Sequence, residues 1–185
     1  VHMLVKIEYN STSISIIKNG DLALQRTVNY GVDSPIETVR AFPVFGEDLT
    51  SSEAIDILYS ERCVHDTLAW DGYTGTDPQE EMLENAKAEV TESFRYMVGN
   101  ISRIMDYYIS RNTETVFTSI QICGLGAGIK GVRRMLSNEL GQQVEIIYAL
   151  KDCTHPEFPK EEGLYLYASV FAAMRSGLNL MEKVS

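Results

Sequence analysis

The stretch Ser119–Leu140, SIQICGLGAGIKGVRRMLSNEL, constrains this chain more than any other. Ser119–Cys123 is a short apolar run closed by glycine, the pattern of a strand covered on both faces. Gly124, Gly126, Gly128 and Gly131 come next, and Val132–Leu140 then spaces its apolar residues as a helix does. Glycines between strand and helix let the backbone turn sharply and leave the first helical N–H groups facing outward. Such a helix start favours anions, so a phosphate-bearing ligand is one expectation and plain close packing is the other. A lone glycine-rich turn does not decide between them.

With 185 residues the chain suits one ordinary domain with a proper core. Its net charge of −10 argues against nucleic acid or an anionic membrane as direct partners, because both want a basic surface. No run reaches the apolar length of a membrane-spanning helix. Val1, His2 and Met3 read as a cloning remnant and a start residue, so the domain is expected over 4–181. Three cysteines do not make a disulfide framework in a domain of this size, which points to a reducing cytoplasm. Cys63 with His65 and Cys153 with His155 are spaced too closely for an ordinary zinc site and read as loop residues.

Leu4–Tyr9, Ser13–Ile17 and Leu22–Val28 are rich in β-formers and separated by short polar turns, an antiparallel meander. Residues 31–78 form a small helical insertion. Pro35 opens one helix through Ile36, Val39 and Phe42, and Thr50-Ser51-Ser52-Glu53 is a capping box for a second. Cys63–Pro78 is a loop, with Trp70 expected to anchor it on the core. Gln79–Arg111 carries one long apolar stripe, with glutamates at its start and arginines later, and is expected to be a single core helix. After Gly141 come a strand at Val144–Tyr148, a polar loop at Lys151–Lys160 and a last helix at Glu162–Leu180. The order β-β-β-α-β-α-β-α plus insertion predicts an α/β domain with a five-stranded mixed sheet covered by helices.

That order resembles half of the actin-like (ribonuclease H-like) ATPase fold. Within it the sequence is similar to the PilM-like proteins of type IV pilus assembly. Ser13–Arg26 resembles the family's strand–turn–strand passage, Asp48–Ala54 its insertion helix, and Glu89–Tyr108 its long helix. Ile122-Cys123-Gly124-Leu125-Gly126-Ala127 with Gly131 resembles its adenosine-side motif, and Tyr167–Leu178 its final helix. The resemblance implies a vestigial nucleotide contact at Thr12, Gly124, Gly126 and Ala127.

Two departures from the family pattern bear on activity. Where the family has Asp-x-Gly-x-x-x-Thr in its first strand turn, Thr12 matches, but Lys6 replaces the aspartate and Glu8 the glycine. Glu8 would set negative charge where phosphate comes, and Leu125 would crowd the base. The likeness is to the second half of the fold, whereas the nucleotide site lies between two halves. The resemblance therefore implies a non-catalytic scaffold, with no cofactor for this chain and ATP only in a longer parent. Its partners would be a PilN-like inner-membrane protein and assembly motor or platform proteins of a pilus or a related type II secretion system. It would lie in the cytoplasm, peripheral to the inner face of the membrane, with self-association as a further expectation. The alternative is a dinucleotide-binding oxidoreductase domain built on Gly124–Gly128, with Glu145 roughly twenty residues later as the ribose-binding acid.

Overall fold

The computed structural model describes residues 1–147, 163 and 165–167. Three strands, β1 (His2–Ile7), β2 (Thr12–Lys18) and β3 (Asp21–Val28), form the meander. Two more, β4 (Ser119–Cys123) and β5 (Val144–Ile146), complete a five-stranded sheet in the order β3-β2-β1-β4-β5. β1 pairs antiparallel with β2 and parallel with β4, and β4 pairs parallel with β5, so the sheet is mixed as the element order predicts. Alternation fixes the register: Met3, Val5, Ile7, Ile14, Ile16, Ile120 and Ile122 are all buried in one core.

β1 begins at His2, and Met3 is 1% exposed, so residues 2 and 3 belong to the fold and are not an appendage. The Thr118 amide also donates to the Val1 carbonyl at 2.8 Å, closing β1 onto β4.

The insertion supplies α1 (Asp33–Ala41), a short 3-10 turn at Pro43–Phe45, and α2 (Ser51–Ser60). Both halves of the α2 capping box form: Glu53 N–H donates to Thr50 Oγ1, and Thr50 N–H donates to the Glu53 carboxylate at 2.9 Å. Ile36, Val39, Ala54 and Leu58 carry both helices into the common core.

The long helical stretch is two helices, α3 (Pro78–Glu92) and α4 (Arg95–Arg111). Thr91 Oγ1 donates to the Lys87 carbonyl at 2.7 Å and Ser93 Oγ to the Val90 carbonyl at 2.6 Å, in competition with the main-chain ladder. The Phe94 amide turns instead to Thr91 O, a tighter bond that closes α3, while Phe94 itself is fully buried against Tyr30. The apolar stripe crosses the break unchanged through Val90, Phe94, Met97 and Ile101.

β4 leads through a 3-10 turn (Leu125–Gly128) to α5 (Val132–Leu140), which ends at Gly141 with φ 60° in the left-handed cap conformation. The expected loop at 151–160 lies outside the described residues, as does the expected last helix apart from 163 and 165–167. Among the described residues no helix is long and apolar enough to cross a membrane.

Candidate functional site

The glycine turn has two sides. On one it lies against the end of β1. Gly124 adopts φ +82°, and a Cβ there would sit 2.4 Å from the Ile7 carbonyl oxygen and 3.2 Å from a Glu8 carboxylate oxygen. A Cβ at Gly126 would meet the Ile7 side chain at 2.4 Å. These glycines therefore let turn and strand touch. The Gly124 amide donates to the Tyr165 carbonyl at 2.8 Å, and Ala127 N–H closes the 3-10 turn on Gly124 O at 3.1 Å.

Glu8 stands at this junction in an ion pair with Lys6, 2.8 Å apart and partly exposed. The β1–β2 turn is held firmly: Glu8 N–H donates to Ser11 O, Val32 N–H to Glu8 O and Asp33 N–H to Tyr9 O. Thr12 is fully buried, and its hydroxyl donates to the Tyr30 carbonyl at 2.8 Å. Cys123, at the end of β4, has its thiol pushed up to about 11, chiefly by burial.

On the other side of the turn lies a cleft of about 800 Å³ between α2 and α5. One wall is the C-terminal end of α2 and the chain just beyond it, with Asp56, Tyr59, Ser60 and Arg62; the other is Ala127–Gly131 with Arg133 and Arg134. Direct bonds bridge the walls: Tyr59 Oη donates to Leu125 O at 2.9 Å, Lys130 N–H to Leu58 O at 3.1 Å, and Lys130 Nζ to Ser60 O. Burial, reinforced by nearby Tyr165, Asp56 and Glu8, holds the Tyr59 phenol well above its ordinary range, so it stays a neutral donor. Arg62, Lys130, Arg133 and Arg134 face the cleft with Asp56 as the one lining carboxylate among the described residues, a cationic pocket in a chain of net charge −10. Arg133 and Arg134 occupy the first turn of α5, where a positive side chain gains nothing from the helix dipole but an arriving anion does.

Of the four site residues read from the sequence, Ala127 lines this cleft; Thr12, Gly124 and Gly126 lie on the packed side of the turn. Sequence reading missed Tyr59, Arg62, Lys130, Arg133 and Arg134. The signal available was Lys130-Gly131-Val132-Arg133-Arg134, three cations in five positions of an acidic chain. Of the two cysteine–histidine pairs, Cys63 is buried in the core and His65 packs edge-on against Trp70 at 5.6 Å, while Cys153 and His155 lie outside the described residues.

The topology fits the dinucleotide alternative only in part. β4, α5 and β5 do form a parallel βαβ unit, but the sheet that holds it begins as an antiparallel meander, with β1 paired to β2 and β2 to β3. The 3-10 turn also sets α5 apart from Gly124 and Gly126, so those glycines do not open the helix.

No family model matches the sequence, and no curated protein does. Solved structures do match its fold. The "PilM-PilN type IV pilus biogenesis complex" aligns at TM-score 0.56 and 13% identity over 80% of this chain and 35% of that one. MreB5 of Spiroplasma citri bound to ADP aligns at TM-score 0.64 and 14% identity over 99% of this chain and 55% of that one. A non-polymerising MamK mutant bound to AMPPNP aligns at TM-score 0.57 and 14% identity over 80% and 50%. The chain thus spans between about a third and just over half of these structures. Its fold is that of an actin-like ATPase domain.

Proposed function

We propose that this chain is a non-catalytic module of a type IV pilus or related type II secretion assembly platform, acting through protein–protein contacts. In this reading it works in the cytoplasm at the inner face of the membrane, engaging a PilN-like membrane protein and the assembly motor. The PilM–PilN complex among the similar structures supports the choice of partner. The observation that carries the non-catalytic part is the junction of β1 with the glycine turn. Glu8 places a carboxylate beside Gly124, and Ile7 fills the space that both glycines leave open. A triphosphate approaching that corner would meet like charge and an occupied backbone cradle. The module needs no cofactor of its own under this reading.

The test has two arms. Phosphate release from Mg-ATP should stay at the buffer rate, and turnover that Glu8→Gly leaves unchanged would refute the argument from Glu8. A tagged protein isolated from detergent-solubilised membranes should bring down a PilN-like component. Recovery without any inner-membrane pilus or secretion component would end the scaffold reading.

A further inference from the structure

The loop after α2 reaches across to α5 and carries Asp66. Its two carboxylate oxygens hold two of the cleft's arginines: Arg62 pairs with Oδ1, and Arg134 Nε with Oδ2 at 3.0 Å. Arg62 and Arg134 line the cleft, whereas Asp66 stands behind them. Arg134 spends its Nε on Asp66, and its two terminal nitrogens enter no ion pair among the described residues.

The loop is itself fastened to α5 away from the cleft. Asn138 Nδ2 donates to the Asp66 carbonyl at 2.8 Å, and the Leu68 amide donates to Glu139 Oε1 at 2.7 Å. At its other side the His65 amide donates to Thr91 Oγ1 at 2.8 Å, and Trp70 packs on the His65 ring. Residues 63–70 thus form a strap whose docking on α5 decides where the Asp66 carboxylate sits.

We propose that Asp66 is a positioning residue for an anion in this cleft. The strap presents the counter-ion that fixes the Arg62 and Arg134 guanidiniums at the mouth, facing a small polyanion that Lys130 and Arg133 also meet. An exposed arginine loses rotamer freedom when it binds, and a carboxylate that already holds it removes part of that cost. Ligand affinity and strap docking are then linked, and by reciprocity a bound anion steadies the strap. This inference stands apart from the scaffold reading, since it concerns binding at the cleft and not turnover or partners.

The two roles open to Asp66 predict opposite signs. If it were merely a nearby negative charge, removing it would strengthen anion binding by Coulomb's law. As a positioning residue, its removal weakens binding. The experiment is titration of the intact protein with inorganic pyrophosphate, monitored by calorimetry and by acrylamide quenching of Trp70, the single tryptophan. Wild type should bind, with Trp70 becoming less accessible. Asp66→Asn should lower the affinity about fivefold, near the low end of ordinary coupling between sites. Glu139→Gln, which loosens the strap without touching the cleft and also deletes a negative charge, should lower it about twofold. Unchanged or tighter binding in both variants overturns the proposal, as does wild type that binds no pyrophosphate. Circular dichroism of each variant guards against misfolding, and agreement of the two variants is required because only one of them changes an arginine contact.

Discussion

The two sides of one glycine-rich turn behave as opposites. Against β1 the turn is filled: backbone meets backbone at Gly124 and side chain meets missing side chain at Gly126. Towards α2 the next residues of the turn, Ala127–Gly131, line a cleft of about 800 Å³ rimmed with cations. Four glycines in eight positions look alike in a sequence. Their functions separate only when it is known what stands opposite each one: Ile7 at Gly124 and Gly126, the Tyr165 side chain at Gly128 and the Val64 carbonyl at Gly131.

Substitutions at Gly124 should show the contrast most strongly. Gly124→Ala combines a positive φ with a Cβ 2.4 Å from a main-chain oxygen, so urea unfolding should register a loss of about 3 kcal/mol. Gly141→Ala, at φ +60° with open space around it, should cost only about 1 kcal/mol by the same assay. Similar losses at the two positions would mean that β1 does not brace the turn.

The walls of the open side are joined by a few bonds, and Tyr59 supplies one of them. Tyr59→Phe removes the donor to Leu125 O and should destabilise the protein by about 1 kcal/mol, with a matching change in pyrophosphate affinity if the cleft's width depends on it. At the packed side, Glu8→Gln deletes half of a partly exposed surface pair, so its effect on stability should stay within about 0.5 kcal/mol. Its value lies elsewhere. If Glu8 is what repels an anion from the β1 corner, this variant should be the one in which pyrophosphate begins to perturb Ser11 and Thr12.

His65 offers a pH test of the strap. Burial, the largest influence, lowers its pKa below the ordinary 6.5, while Glu84 pulls the other way and Lys87 and Arg62 add to the lowering. A base whose folded value is depressed favours the neutral form in the native state. Stability from this group is therefore complete above about pH 6.5 and is lost as the pH falls from there towards the folded value. Melting temperature should decline over that range more in wild type than in His65→Gln, and equal slopes would mean that the folded protein does not depress the His65 imidazole.

Much of the fold was legible because local rules and tertiary packing agree. The strands expected at Leu4–Tyr9 and Ser13–Ile17 appear at His2–Ile7 and Thr12–Lys18, and the Thr50–Glu53 box forms as the sequence predicts. The break between α3 and α4 was not legible. Val90, Phe94, Met97 and Ile101 keep helical spacing through it, and the cause is a pair of hydroxyls, on Thr91 and Ser93, that capture main-chain carbonyls. The cleft was hidden for a different reason. Its walls, around Tyr59 and Lys130, lie about seventy positions apart, and only the sheet order brings them together. Thr12 was drawn in by resemblance, but its hydroxyl is committed to Tyr30 O in the core.

The most direct measurement is a map of backbone amide shifts by nuclear magnetic resonance during pyrophosphate titration of the wild-type protein. A turn filled against β1 and open against α2 requires the shifts to concentrate at Lys130, Arg133 and Arg134, with Glu8–Thr12 unmoved. Shifts centred on Glu8–Thr12 would show that the anion enters on the packed side and would contradict the two-sided reading of the turn.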